Sequence, residues 1–385
     1  MSGPAQGRYY SLDGMRGLAA IIVVFHHFGL QKNPSLAGAG YLAVDFFFAL
    51  SGFVIALAYQ DRLAQGLSTR RFMAQRVLRL YPLFLAGIAL GLVKAIGQIV
   101  THDGTALPIP ELLLSLVTSL LMLPTPGAHL VSTFPLNTPG WSLFFEMVAS
   151  LAFGAVLFRW RTASLALAAG VAALLLLPGM LSHDGRVAGL GTTWPDFIHG
   201  FPRVFFAFLT GVLIFRLSRG VRRTINGDVL IAIVALIALL LGKPGGWLDG
   251  GYDMIVLGLA IPAILWAGVA WEVPERHQRF FGWLGDISYP LYILHFPLLM
   301  IYLYVMRSFP VPLAISCLLF LIGMLTISTL AFHLYDAPAR AMLAMRFRMP
   351  GSCRFRRPAV QMDKPSLAGT ASARTDNNRN TPPSR

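Results

Sequence analysis

The sequence predicts an all-α membrane protein, a polytopic helical bundle of about ten transmembrane spans with one additional short segment. Two observations predict this fold class. Hydrophobic residues make up 56% of the 385 residues and charged residues only 12%, whereas soluble domains carry about 25% charged residues. The hydrophobic residues also form blocks, and several reach the roughly 20 residues that a helix needs to cross a hydrocarbon core about 30 Å thick.

The positions of these blocks predict ten spans. They are residues 13–31, 41–59, 80–100, 142–158, 162–181, 201–217, 228–242, 252–270, 286–306 and 311–333. The stretch Pro110–Pro124 is apolar but short and bounded by prolines, which predicts a re-entrant or interfacial segment. Residues 1–345 therefore form one predicted membrane domain. Residues 346–385 are basic, rich in Pro, Ser and Arg, and predict a disordered cytoplasmic tail.

The basic residues predict which side each loop occupies, because Lys and Arg are concentrated in cytoplasmic loops. With both termini in the cytoplasm, most of the 31 Lys and Arg residues fall in inner loops or in the tail. The outer side keeps only Lys32, Lys94, Arg186, Arg203, Lys243 and Arg307. Counting residues 110–124 as a full span would invert every later loop and remove this asymmetry.

Several functional classes are excluded by the same composition. The net charge of +14 does not indicate a nucleic-acid partner, since the basic residues flank spans and do not follow one folded face. Cys317 lies in an apolar block and Cys353 in the tail, and no Cys/His cluster has zinc spacing, so no metal site is predicted. The chain has no Gly-rich phosphate loop, and we expect no permanently bound cofactor.

The first predicted span contains an arginine and a histidine that share one helix face. Arg16 and His27 are eleven residues apart, which is about three turns plus 20° and roughly 16 Å along the axis. His26 lies about 80° round from Arg16 and fits that face less well. A charged group near a helix centre costs at least about 2.5–3.5 kcal/mol in a membrane. The pair therefore favours a functional site, although Arg16 alone is also compatible with snorkelling to the interface.

Two carboxylates lie at a similar depth to His27. Asp45 is near the outer end of the second span, and Glu146 is one turn after Ser142 in the outer half of the fourth. We predict that His27, Asp45 and Glu146 meet in one catalytic layer. A carboxylate beside an imidazole fixes its tautomer and raises its basicity, as a general base acting on a hydroxyl requires. The alternative is a structural polar cluster that joins helices.

Two further groups of polar residues are candidates for the site. Arg76 and Arg79 share a face at the inner start of the third span and, with Arg16, are predicted to bind the phosphates of a cytoplasmic donor. The alternative is that these arginines have no binding role, because basic residues are common at the cytoplasmic ends of membrane helices. In the ninth span Ser288, Tyr292 and His295 share a face. His295 is either catalytic or bonded to a neighbouring helix, and Arg203 is a candidate partner for Glu146 or Asp45.

At these residues the sequence resembles the acyltransferase type 3 family of bacterial membrane O-acyltransferases. The similar segments are LDGMRGLAAIIVVFHHF, GYLAVDFFFALSGFVIA, RFMAQRVLRLYP, NTPGWSLFFE, LGDISYPLYILHFP and HLYDAPAR. They occur in the family's order between Tyr10 and Arg340, and this order makes the resemblance specific although each segment alone is weak.

The resemblance implies a ten-helix protein of the bacterial inner membrane that moves an acyl group, usually acetyl, from cytoplasmic acyl-CoA to a carbohydrate hydroxyl. The family's Arg-x(10)-His and Arg-x-x-Arg elements fall on Arg16 with His27 and on Arg76 with Arg79. Its Trp-Ser-Leu-x-x-Glu element falls on Trp141, Ser142, Leu143 and Glu146. Asp336 stands where the family more often has Glu, which leaves its role open.

The functional hypothesis is therefore an O-acyltransferase with acyl-CoA as donor substrate, a saccharide or glycolipid as acceptor, and membrane lipid around it. The alternative is a proton-coupled transporter or flippase of a saccharide or lipid, in which the buried histidine and carboxylates form a proton relay. That alternative predicts internal repeats, which the sequence does not contain. A non-catalytic scaffold would leave the placement of the intramembrane charges without a reason.

Overall fold

The computed structural model describes residues 8–127, 130, 132–221, 224–225, 228–242 and 249–346. Nearly all the regular structure in these residues is helical, and the strands among them are one short parallel pair, β1 (Thr224–Ile225) and β2 (Trp271–Glu272). The predicted all-α fold class is confirmed. Most of the predicted tail, from residue 347 onward, and Lys243 lie outside the described residues.

Thirteen α-helices are found in the described residues. They are α1 (Tyr10–Lys32), α2 (Ala43–Ala64), α3 (Thr69–Val100), α4 (Ile109–Leu120), α5 (Gly140–Ala155), α6 (Thr162–Leu181), α7 (Gly200–Leu217), α8 (Val229–Leu241), α9 (Asp249–Ile255), α10 (Ile261–Ala270), α11 (Glu275–Met306), α12 (Leu313–Leu330) and α13 (Ala337–Arg346). The π-helical turns Val256–Ala260 and Ala331–Asp336 join α9 to α10 and α12 to α13.

Seven helical segments in the described part of the chain are long and apolar enough to cross a membrane. They are Gly40–Ala64, Thr69–Val100, Thr162–Leu181, Phe197–Leu217, Gly251–Ala270, Glu275–Met306 and Leu313–Arg346. The other three predicted spans are also helices. Of these, α1 carries charges in its first turns, whereas α5 and α8 are apolar but only 16 and 13 residues long. The chain is a multi-pass helical membrane protein.

Contacts between loops and helix ends sort the ends into two sets. One set, called the inner end after the predicted orientation, holds the contacts Ser11 Oγ to Gly268 O (2.5 Å), Thr69 Oγ1 to Gly154 O (2.7 Å) and Arg216 Nη1 to Trp160 O (2.6 Å). The other set, called the outer end, holds Tyr41 Oη to Asp253 Oδ1 (2.9 Å) and Val187 N to Asp253 Oδ2 (2.8 Å). The described helices alternate between these ends as ten crossings require.

The short helix α4 is the predicted additional segment. Its 12 residues extend about 18 Å, less than the hydrocarbon thickness, and unlike the 13-residue α8 it does not connect the two ends of the bundle. It packs along α3, and the hydroxyl of Tyr81 donates to the carbonyl oxygen of Leu120 at 2.7 Å. The chain then returns to the outer end, where Trp194 Nε1 donates to Thr125 O at 2.8 Å. The prediction of a short segment between the third and fourth spans is confirmed.

The extended chain between α4 and α5 is hydrogen-bonded to α11 inside the bundle. Pro297 has no backbone N–H, so it leaves the carbonyl of Ile293 in α11 without its helical donor. The side-chain amide of Asn137 supplies that donor at 3.0 Å. Non-helical backbone is tolerated at such depth when protein groups satisfy it, and this bond ties the start of α5 to α11.

Two parallel helix pairs organise the bundle, and glycines bring each pair together. In the α1–α11 seam, a Cβ on Gly17 would lie 2.6 Å from the carbonyl oxygen of Leu284. In the α2–α7 seam, a Cβ on Gly52 would overlap the backbone of Phe208 even more closely. Small residues let helix backbones approach in a membrane, where packing replaces the hydrophobic effect as the driving force. Each seam carries polar side chains at both ends.

Candidate active site

The inner end of the α1–α11 seam is a network of arginines and aspartates. Arg8 donates to Asp13, to Asp286 Oδ1 at 2.8 Å and to the carbonyl of Gly282 at 2.9 Å. Arg16 donates through Nη2 to Gly285 O at 2.7 Å and to Asp13 at 3.2 Å. The Nε atom of Arg16 is buried and has no hydrogen-bond partner among the described residues.

The outer half of the same seam holds a pair of histidines. The Nδ1 atom of His27 lies 2.9 Å from Val23 O and 3.3 Å from Nε2 of His295. The two ring centroids are 4.9 Å apart, and Phe296 packs edge-on against His27. Arg16 and His27 therefore both contact α11, which is the relation expected of two residues on one helix face. His26 points elsewhere, with Nδ1 at 2.6 Å from Ala37 O.

Asp45 does not join His27, and this part of the predicted catalytic layer is wrong. Both carboxylate oxygens of Asp45 accept from Arg203, at 2.8 and 2.7 Å, and the exposed fractions of these two side chains are 0% and 1%. The Nη1 atom of Arg203 donates to the carbonyls of Val187 and Leu190, and its guanidinium lies over the ring of Trp141. The bidentate pair engages both carboxylate oxygens of Asp45.

Glu146 also has partners other than His27, so the predicted layer does not form. It accepts from Arg76 and from the hydroxyl of Ser51 at 2.6 Å. Arg76 is buried by this ion pair, and its Nε atom has no partner among the described residues. The guanidinium of Arg76 is therefore buried inside the bundle, where it neutralises Glu146. Its binding of donor phosphates together with Arg16 and Arg79 stays a prediction.

Two further arginines, Arg79 and Arg340, lie near the inner end of the α1–α11 seam. Arg79 is half-buried, lies within electrostatic reach of Arg16 and Arg340, and has no hydrogen bond within the described part of the chain. Arg340 pairs with Asp336 at 2.6 Å. Like charges in a partly desolvated site repel one another. A polyphosphate would relieve this repulsion, so Arg16, Arg79 and Arg340 form the better candidate donor site.

A hydrogen-bonded pair of hydroxyl groups joins α5 to α11 close to the histidines. The hydroxyls of Ser142 and Tyr292 are 2.6 Å apart, and Ser142 also donates to Pro139 O. Tyr292 is followed in α11 by His295, with ring centroids 6.0 Å apart. Thus Ser142, Tyr292, His295 and His27, all singled out in the sequence, are neighbours in this order, with side-chain polar contacts between the first two and between the last two. Ser288 takes no part and bonds within α11 to Gly285 O.

Two contributing residues were missed in the sequence. Ser51 lies in an apolar helix, and nothing in its neighbourhood signals that it faces Glu146. Arg340 lies in the HLYDAPAR segment, and its spacing of four residues from Asp336 was an available signal. Within the described ranges, no three His, Cys, Asp or Glu side chains group closely enough to hold a metal ion.

Comparison with known proteins identifies the family. An acyltransferase domain family matches residues 9–333, which is most of the chain. The chain belongs to this acyltransferase family. No solved structure matches the chain.

Three curated relatives illustrate the similarity. Protein 2 in picA locus of Rhizobium radiobacter is 41% identical over 175 residues, covering 42% of this chain and 86% of that protein. The exopolysaccharide production protein ExoZ of Rhizobium meliloti (strain 1021) is 26% identical over 282 residues, covering 71% and 80%. The peptidoglycan O-acetyltransferase OatA of Listeria monocytogenes is 40% identical over 74 residues, covering 19% and 11%.

Proposed function

We propose that this protein transfers an acyl group, acetyl in the simplest case, from cytoplasmic acyl-CoA to a hydroxyl of a cell-surface or lipid-linked saccharide. The main support for the proposal is the arrangement of two groups in the α1–α11 seam. Arg16 at the inner end has a buried Nε without a described partner, and the imidazole of His27 lies roughly 16 Å further along α1, in the outer half. A donor whose phosphates bind at the inner end and whose acyl group reacts in the outer half needs a binding group and a reacting group that are separated along the helix.

In this proposal the donor binds at the inner end. The phosphates of acyl-CoA interact with Arg16, Arg79 and Arg340, since a guanidinium offers two parallel N–H groups to phosphate oxygens. The thioester arm then extends along α1 towards His27. Both chain termini lie in the cytoplasm, and the membrane is the bacterial inner membrane, where acyl-CoA is available on one side and cell-surface saccharides are displayed on the other.

His27 acts on the acceptor hydroxyl as a general base. Its Nε2 atom accepts the hydroxyl proton while the alcohol oxygen bonds to the acyl carbon and the carbon–sulfur bond to CoA breaks. The proton then passes to the departing thiolate, which leaves as CoA thiol and restores neutral His27. A variant forms an acyl bond to His27 before the hydroxyl attacks. Either route exchanges one thioester for one ester.

Two observations support a saccharide as the acceptor class. ExoZ is named for exopolysaccharide production and OatA for peptidoglycan O-acetylation. Aromatic residues, among them Phe197, Trp194 and Trp141, pack together near the outer end of α5. Aromatic faces suit the apolar faces of sugar rings, whereas the hydroxyl groups of Ser142 and Tyr292 offer hydrogen bonds close to His295.

The test uses purified protein in lipid nanodiscs with labelled acetyl-CoA. We expect release of CoA and transfer of label to added glycan or lipid-linked saccharide, with both lost in His27→Ala. Mass spectrometry of cell-surface glycans with and without the gene identifies the acceptor. Uptake or translocation of a saccharide without CoA release would overturn the proposal and favour the transporter. Wild-type rates in folded His27→Ala would remove His27 from the reaction.

A further inference from the structure

The arrangement of ring nitrogens in the outer half of the α1–α11 seam has a consequence for proton positions. We infer that His295 is a positioning residue: it fixes the tautomer and the orientation of His27, so that Nε2 of His27 carries the free lone pair. This inference rests on the proposed function, in which His27 is the base or nucleophile. Which ring nitrogen of His27 carries the proton can be measured without enzymatic turnover.

The tautomer of His295 follows from its backbone neighbours. Its Nδ1 atom lies 2.8 Å from the carbonyl oxygen of Tyr292 and 3.2 Å from that of Leu291. Carbonyl oxygens only accept hydrogen bonds, so Nδ1 must carry the proton. The side chain is fully buried, with an exposed fraction of 0%. Neutral His295 therefore presents an unprotonated Nε2, and this atom acts as an acceptor.

The tautomer of His27 follows in turn. Its Nδ1 atom lies between two acceptors, Val23 O at 2.9 Å and the bare Nε2 of His295 at 3.3 Å. An unprotonated Nδ1 would place its own lone pair against both acceptors, which is unfavourable. The proton of neutral His27 is therefore on Nδ1. The lone pair is then on Nε2, which has no hydrogen-bond partner among the described residues. This is the nitrogen that a reacting hydroxyl or acyl group must reach.

The carbonyl of Val23 alone is a weaker anchor than the pair of acceptors. In α1 this oxygen is already the i−4 acceptor for the backbone N–H of His27. His295 supplies a second acceptor and a ring packed against His27, with centroids 4.9 Å apart. The 3.3 Å separation is long for a hydrogen bond, as is common for catalytic groups before substrate binds. His295 takes the place that sequence reasoning gave to Asp45 and Glu146.

The test compares two substitutions of His295, one that removes the hydrogen-bond acceptor and one that keeps it. His295→Leu removes the acceptor, whereas His295→Gln keeps an amide oxygen near the position of Nε2. We expect His295→Leu to lower kcat about 10–100-fold with the KM for acetyl-CoA unchanged, since lost orientation of a catalytic histidine costs this much in comparable sites. His295→Gln should recover most of kcat. Thermal unfolding in nanodiscs reports whether both variants are folded.

A second measurement needs no activity. NMR of isotope-labelled histidine in nanodiscs distinguishes a protonated ring nitrogen from a bare one, and loss of the signal in His27→Gln assigns it. We expect Nδ1–H on His27 in the wild type and a mixture of tautomers in His295→Leu. A proton on Nε2 of His27 in the wild type would overturn the inference, as would equal loss of kcat in folded His295→Leu and His295→Gln.

These readouts separate the inference from the proposed function. If the wild type transfers no acyl group, the proposed function fails, and the tautomer measurement still decides the positioning role. If the wild type is active and His295→Leu keeps full kcat, the positioning role fails and the proposed function stands. A change confined to the KM for acetyl-CoA would place His295 in donor binding and contradict the role inferred here.

Discussion

The two glycine-packed helix pairs differ in how completely their polar groups are paired. In the α2–α7 seam, Arg203 and Asp45 share two hydrogen bonds at the outer end, and Arg216 donates to Gln60 at the inner end. In the α1–α11 seam, the Nε atom of Arg16 is buried without a described partner, and the hydrogen-bonding contacts of His27 among the described residues are with another imidazole and a backbone carbonyl.

We interpret this difference as one between polar groups that stabilise the fold and polar groups that serve the proposed function. A buried donor without an acceptor costs about 1–3 kcal/mol. The α2–α7 seam does pair its groups, and Arg203 also holds the loop between α6 and α7 through the carbonyls of Val187 and Leu190. In the proposed function, bound substrate completes the hydrogen bonds of the unpaired atoms in the α1–α11 seam. Charge in the membrane is therefore a poor guide to function until its partners are known.

The largest predicted effect is on stability, in the α2–α7 seam. Arg203→Leu leaves Asp45 as an uncompensated buried charge, which should lower the free energy of unfolding by about 3–5 kcal/mol. Thermal unfolding of the purified variant measures this loss. The double variant Asp45→Leu with Arg203→Leu should regain much of it, because both charges are then gone. If Arg203→Leu is as stable as the wild type, the pair is not the structural clamp described here.

The next effect is on donor affinity, at the inner end of the α1–α11 seam. Arg79→Ala should raise the KM for acetyl-CoA about 10–100-fold, since a hydrogen bond to a charged group contributes about 1.5–3 kcal/mol. Its stability should not change, because no described residue depends on it for a hydrogen bond. Arg76→Ala should do the reverse and destabilise the fold by leaving Glu146 unpaired. Initial rates and unfolding curves of both variants test this contrast.

The smallest effect is expected at the exposed inner end of the α2–α7 seam. Arg219 pairs with Asp61 at 2.7 Å, and its side chain is 48% exposed. Exposed ion pairs contribute about 0–1 kcal/mol. Arg219→Ala should therefore keep both the KM for acetyl-CoA and the melting temperature close to wild type, which makes it the matched control for Arg79→Ala. A large rise in KM would extend the donor site to α7.

Periodicity in the sequence predicted the helix face correctly at several positions. The spacing of Arg16 and His27 selected one face of α1, and both residues contact α11. The spacing of Tyr292 and His295 selected the face of α11 that meets His27 and Ser142. Proline boundaries also predicted that α4 is too short for a full span.

Partner choice was predicted less well: Arg203 does pair with Asp45, one of its two candidate partners, but the predicted meeting of His27 with Asp45 and Glu146 is not found. Asp45, Glu146 and His27 are predicted to lie at similar depths, yet each has a different neighbour. Depth follows from position along one helix, whereas a partner depends on which helices pack together and on their rotation. The α2–α7 pairing that brings Arg203 to Asp45 is set by backbone contacts at Gly52 and Gly211, which periodicity does not encode.

The most direct test of the account compares two adjacent histidines of α1. His27 faces His295 in the α1–α11 seam, whereas His26 bonds to Ala37 O and packs beside Tyr41. The measurement is kcat for acetyl transfer per folded protein in His27→Gln and His26→Gln. We expect the first to lose about 10²–10⁴-fold at wild-type stability, and the second to keep kcat with a lower melting temperature. Full activity in His27→Gln together with loss in folded His26→Gln would contradict the account.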